Sequence, residues 1–213
     1  RSGVVWHTQG SGKTLTMIML TKMILRESMQ PNSMIKQPRF VMVTDRINLD
    51  KQIRDNFIHT QMSPHRAKTG KGLIELLKEE SNTVITALVN KFEAAVKQEY
   101  CNDSKNIFVF IDEGHRTQYG KLNIYMNRVL PNAVKIAFTG TPLMQKKPKE
   151  NKRDIVPARD TYEKFGPEID RYTLQDAIDD KVTVPIVYEG RVIPQKVTSE
   201  QINSHLKYIT VGL

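Results

Sequence analysis

Five consecutive apolar residues, Ile107 to Ile111, run straight into two acids, Asp112 and Glu113. A strand with one wet face alternates apolar and polar side chains, whereas an unbroken run marks a strand covered on both faces. Covering both faces takes helices above and below, which confines the chain to layered α/β architectures. Similar short runs recur as GVVW (3–6), RFVMVT (39–44), TVITAL (83–88) and VKIAFTG (134–140). Amphipathic stretches at 13–27, 46–57, 72–80, 90–98 and 119–129 separate them and are spaced as helices. Strand alternating with helix predicts an α/β fold with a mostly parallel central sheet and helices on both faces. Ligands then belong at the carboxyl ends of the strands. Asp112 and Glu113 stand at such an end.

A second stretch explains why two like charges are placed there. HTQGSGKT (7–14) lies between the first expected strand and the first expected helix. Gly10 and Gly12 let the backbone approach phosphate oxygens, and successive N–H groups with the helix N-terminus supply positive potential. Thr8, Gln9, Gly10, Ser11, Gly12, Lys13 and Thr14 are therefore the candidate nucleotide-binding residues. Lys13 is expected to reach the β- and γ-phosphates and the Thr14 hydroxyl to ligate Mg²⁺. His7 stands where the general phosphate-loop pattern has glycine, as in the variant used by helicase-like motors. With a magnesium nucleotide on that loop, Asp112 is expected to hold Mg²⁺, partly through water, and Glu113 to orient and deprotonate the attacking water. The cation offsets the repulsion between the two carboxylates and keeps both ionised. Lys13, Asp112 and Glu113 form the expected catalytic set. IAFTGTP (136–142) ends another strand with hydroxyls at Thr139 and Thr141, which reads either as an ordinary turn or as a relay from the γ-phosphate to nucleic acid.

The formal charge of +9 in 213 residues and a pI near 9.6 suit a polyanionic partner without requiring one. Cys101 is the only cysteine, so no internal disulfide forms, and a reducing, cytoplasmic setting is expected. No apolar run approaches the roughly 18–20 residues of a membrane span. Residues 1–142 are expected to form the main lobe. The charged stretch 143–160 reads as a basic, disordered loop, and 161–213 as the end of that lobe, with a helix at 174–180 and a strand or hairpin at 182–193. Met17, Met19, Met23 and Met29 read as core packing of the first helix. The absence of an initial Met suggests a piece of a longer polypeptide.

With these residues in place, the chain resembles the first RecA-like motor lobe of superfamily-two helicase-type ATPases, and more narrowly the R subunit of type I restriction enzymes. HTQGSGKT resembles motif I, VTDRINLDKQI (43–53) motif Ia, FIDEGHRTQYG (110–120) a DEAH-like motif II, and FTGTPL (138–143) motif III. The FG, ID-x-Y and VPI-x-YE-x-R elements at 165–191 also fit. Gly114 stands where Ala is more common. The resemblance implies a RecA-like P-loop NTPase fold, ATP and Mg²⁺ as cofactors, and double-stranded DNA together with the modification and specificity subunits as partners. It implies that His115, Thr139 and Thr141 couple nucleotide state to DNA, and that Thr44, Arg46 and Thr86 touch the DNA backbone. The expected function is ATP-driven DNA translocation preceding cleavage by a nuclease domain outside these residues. The alternatives are a lobe of another superfamily-two helicase and a scaffold that binds nucleotide without turnover.

Overall fold

Each apolar run forms a strand, and each amphipathic stretch that follows returns the chain across the sheet. The computed structural model describes residues 2–80, 83–112, 119–142 and 161–185. In chain order the elements are β1 (Gly3–His7), α1 (Lys13–Ser28), β2 (Arg39–Thr44), α2 (Ile47–His59), β3 (His65–Ala67), α3 (Gly70–Lys78) and β4 (Val84–Leu88). They continue as α4 (Val89–Lys97), β5 (Ile107–Asp112), α5 (Tyr119–Val129), β6 (Val134–Thr139), α6 (Thr161–Phe165), β7 (Glu168–Tyr172) and α7 (Leu174–Asp179). The strands make one seven-stranded sheet in the order β3-β4-β2-β5-β6-β1-β7. Every pairing is parallel.

Alternate residues of the central strands feed two cores, as the unbroken apolar runs require. Val41 and Val43 join the core under α3, α4, α5 and α6, built with Leu73, Leu77, Phe92, Met126 and Phe165. Phe40 and Met42 join the core under α1 and α2, built with Met17, Ile18, Ile53 and Phe57. Rings from three neighbouring strands pack across that second face: Phe40 stacks on Phe108 at 5.4 Å and tilts against Phe110 at 5.8 Å, and Phe110 meets Phe138 edge-on at 5.6 Å. Phe110 lies between two of these partners and is fully buried. Phe110→Ala should therefore lower unfolding free energy by about 3–5 kcal/mol, the cost of a large core truncation. Urea unfolding followed by circular dichroism measures it, and a loss below about 1 kcal/mol would mean the site collapses around the gap.

The two edge strands depart from the sequence reading. β3 has only three residues, and β7 (EIDRY) is mostly exposed, so neither carries the apolar run that marks a central strand. β7 pairs with β1 through Val4↔Glu168, Val5↔Asp170, Trp6↔Arg171 and His7↔Tyr172, with a shift of register between Val4 and Val5. Residues 161–183 are thus part of the sheet that 1–142 begin, and the compact unit runs from Arg1 to Thr183. Residues 182–185 form no strand, and the rest of the expected 182–193 hairpin, like the 143–160 loop, lies outside the described residues.

The methionine reading also needs correction. Met17 is buried, but Met19, Met23 and Met29 are 56%, 65% and 79% exposed. α1 lays one face on the sheet, through Met17, Ile18 and Thr21. Leu15, Met19 and Met23, four residues apart, follow the opposite face into solvent. Their apolar character alone said nothing of which face they occupy.

Candidate nucleotide site

β1 ends at His7, and residues 8–12 turn back to start α1 at Lys13. The turn requires glycine: Gly10 and Gly12 have φ of 84° and 83°, in the left-handed region. A Cβ at either would meet nothing within 4 Å, so backbone conformation and not crowding selects glycine, and the loop is open above. Gly12 caps α1 with no side-chain hydrogen bond, and the first turn of the helix contains no acid. The unspent N–H groups of a 16-residue helix therefore face the loop at its positive end.

Polar contacts hold the loop in shape. Ser11 Oγ donates to the Thr8 carbonyl at 2.6 Å, and Thr8 N–H donates to the Tyr172 carbonyl on β7 at 2.9 Å. Lys13 Nζ donates to the Thr8 and His7 carbonyls at 3.2 and 3.4 Å. Neutral acceptors alone hold this ammonium among the described residues, and a phosphate oxygen would be a stronger acceptor.

A cavity of about 800 Å³ opens over the loop, lined by Gln9, Gly10, Gly12, Lys13 and Thr14, and by Asp112 and Thr141 from across the sheet edge. Parallel pairing explains the meeting: β5, β6 and β1 are consecutive neighbours, so their carboxyl ends lie on one edge. Asp112 ends β5 opposite Phe138, and is 9% exposed. An anion cradle with one lysine, a helix hydroxyl and a carboxylate facing it across the cavity fits a magnesium-bound triphosphate. Thr14 and Asp112 are the oxygen donors suited to Mg²⁺, a hard cation that keeps several waters and takes one or two carboxylates.

The structure distributes the other candidates unevenly. Thr8 is buried and contributes backbone atoms, while Ser11 faces a smaller pocket on the far side of the loop with His7, Asp170, Arg171 and Tyr172. Thr139 is buried, and its hydroxyl accepts the Thr141 N–H at 3.2 Å, bracing the turn that carries Thr141. Glu113 and His115 lie outside the described residues.

Among the expected DNA contacts, Thr44 and Thr86 are each 1% exposed. In this conformation neither hydroxyl can meet a DNA phosphate. Thr44 Oγ1 donates to the Arg46 carbonyl at 3.4 Å, and Thr86 sits mid-strand under α2, paired in register with Met42 and Arg66. Arg46 is exposed but lines the same cavity as Lys13 and Asp112. The sequence reading missed the β7 side of the loop. His7 Nε2 lies 2.7 Å from Asp170 Oδ2, and the ID-x-Y element was the one signal pointing there.

A glycine-rich loop between a buried parallel strand and a helix, facing an acid on a nearby strand, is the RecA-like fold of P-loop NTPase domains. The SWI2/SNF2 ATPase family model matches residues 1–213, and the chain belongs to that family. It is 34% identical over 206 residues to a putative type I restriction enzyme endonuclease subunit of Methanocaldococcus jannaschii, covering 95% of this chain and 18% of that one. It is 35% identical over 209 residues to the type I restriction enzyme HindI endonuclease subunit of Haemophilus influenzae, covering 89% and 18%. These relatives bear out the resemblance to type I R subunits. The chain spans about 18% of their length. Two solved structures share the fold. The nuclease-deletion mutant of the Type ISP restriction-modification enzyme LlaGI, in complex with a DNA substrate mimic, gives a TM-score of 0.57 at 15% identity, covering 85% of this chain and 19% of that one. The Pyrococcus furiosus Hef helicase domain gives 0.55 at 17% identity, covering 80% and 34%. No helix among the described residues is long and apolar enough to cross a membrane.

Proposed function

We propose that this chain is the first motor lobe of a type I restriction endonuclease R subunit, and that it couples ATP hydrolysis to movement along double-stranded DNA. The observation that carries the reading is the cradle of Gly10, Gly12 and Lys13 sharing one cavity with Thr14, Asp112 and Thr141. The N–H groups of the loop and Lys13 bind the phosphates, and Thr14 and Asp112 hold the metal. Mg²⁺, when bound, neutralises charge on the β- and γ-phosphate oxygens. Glu113, next to Asp112 in sequence, orients the attacking water and accepts its proton. Thr141 faces the γ-phosphate end of the cavity, and Thr139 with His115 passes the change to DNA. Arg46, at the start of α2, serves the DNA side. DNA, the modification subunit and the specificity subunit are the partners this reading calls for.

Lys13→Ala should weaken Mg-ATP binding by about tenfold to a hundredfold, the worth of a charge-assisted hydrogen bond to phosphate. Titration with a fluorescent ATP analogue measures it, and unchanged affinity would show that the loop is not a phosphate cradle. Duplex DNA should bind weakly and without sequence preference. The log–log slope of affinity against salt should be roughly −0.9 per phosphate neutralised. Fluorescence anisotropy at several salt concentrations tests this, and a flat salt dependence would assign the positive charge to some other use.

A further inference from the structure

Trp6 is the only tryptophan of the chain, and the reading above leaves it without a task. It is half-buried one residue before the end of β1, and its indole N–H donates to the Gly140 carbonyl at 3.1 Å, across 134 residues of sequence. Gly140 is the centre of the turn that carries Thr139 and Thr141. The turn also touches the phosphate loop through its backbone: a Cβ at Gly140 would lie 3.2 Å from Gln9 N and 3.3 Å from the His7 carbonyl oxygen. A side chain there would press on that backbone and push it back by a few tenths of an ångström. The Arg171 guanidinium lies over the Trp6 ring, 4.8 Å from its centroid. Arg171 is itself fixed by two hydrogen bonds to the Glu168 carboxylate, at 2.8 and 3.0 Å, which hold that carboxyl below its usual range.

Residues 6–9 therefore touch both parts of the site. On one side the His7 and Thr8 carbonyls accept from Lys13; on the other, Trp6, His7 and Gln9 meet Gly140. When a phosphate takes over the Lys13 ammonium, the His7 and Thr8 carbonyls lose that contact, while Thr8 keeps the Ser11 hydroxyl. A ligand shifts a conformation only through contacts that differ between its states, and here the differing contact lies on the backbone that carries Trp6.

We propose that Trp6 is a positioning residue whose indole N–H, bonded to Gly140, sets the Thr139–Thr141 turn against the phosphate loop so that Thr141 follows the state of the bound nucleotide. This rests on the cavity being a nucleoside triphosphate site. The β7 strand then acts as a fixed rail, since Arg171 holds the ring and Asp170 holds His7.

A single tryptophan gives a single indole N–H resonance, which reads the proposal directly in the ¹⁵N-labelled chain. Mg-ADP and a non-hydrolysable Mg-ATP analogue should move it to two different positions, because only the second places a γ-phosphate beside Thr141. Saturation by both nucleotides, shown by displacement of a fluorescent analogue, with the resonance unmoved or moved identically, would overturn the proposal. Failure of both to bind would instead overturn the nucleotide reading, and the proposal with it. Trp6→Phe supplies a second readout within an intact R subunit, keeping a ring for Arg171 while removing the donor. The KM for ATP should stay unchanged while DNA-stimulated kcat falls about tenfold or more, the pattern of an interaction needed after binding. A fall in melting temperature with KM and kcat both at wild-type values would leave Trp6 a packing residue only.

Discussion

Glu113→Gln should keep Mg-ATP binding and lower ATP turnover about 10²–10⁴-fold, the usual worth of a general base. The amide preserves shape and can still hydrogen-bond a water, but it cannot take the proton as water attacks. Asp112→Asn should fail differently, because Asp112 lines the cavity with Thr14 and its proposed role is to hold the metal. Loss there should weaken binding of the magnesium nucleotide before any chemistry is reached. The pair thus separates two roles that the sequence places side by side at the tip of one buried strand. Measured in an intact R subunit, nucleotide affinity and steady-state turnover give the two answers independently. Near-normal turnover in Glu113→Gln would leave the second acid without its assigned role, whatever Asp112 does.

The centre of the sheet was legible because burial on both faces favours apolar residues at most positions. The runs at 39–44, 107–112 and 134–139 read as covered strands, and they lie at the middle of the sheet with β1. Its edges were not legible, because an edge strand needs no apolar face. Glu168 to Tyr172 carries polar and charged side chains that solvate one rim while its backbone still pairs with β1. The same limit hid half of the site's support. The phosphate loop could be read from GSGKT, since few chains need that arrangement of glycines before a lysine. Asp170 beside His7 and Arg171 over Trp6 depend on β7 being a strand, and nothing local to EIDRY announces one.

Side-chain direction was the other missing quantity. Thr86 lies mid-strand and Thr44 at a strand's end, and sequence offers no reason to bury either polar residue. Thr86 nevertheless lies under α2 in the same register as the buried Met42, and strand alternation decides its face. Met19 and Met23 show the converse, with apolar residues on a face that α1 turns to water. In both cases the period of the element was read correctly, and the phase came only from packing.

The 213-residue chain by itself should bind Mg-ATP and hydrolyse it at close to the background rate, with little or no stimulation by DNA. Phosphoryl transfer is catalysed by positioning and by charge placed on several sides of the transferred group. Among the described residues lining the cavity, the permanent cations are Lys13 and Arg46, both rising from the same edge of the sheet. Arg46 has its neighbour Asp45 3.9 Å away, a loose contact that leaves the guanidinium largely solvated. No described arginine approaches the cavity from the opposite side. An arginine finger is worth about 10³–10⁵ in rate, or on the order of 4–7 kcal/mol of barrier. On the proposed reading binding rests on the loop, Lys13 and the metal donors, so it should survive where turnover does not. A steady-state ATPase assay with and without duplex DNA, run beside a binding titration, separates the two. Modest binding with negligible turnover is the expected pair of results. Turnover near the median enzyme value of about 10 s⁻¹, raised further by DNA, would mean that the charge needed at the transition state is already present on this lobe, and Arg46 would be the first residue to suspect.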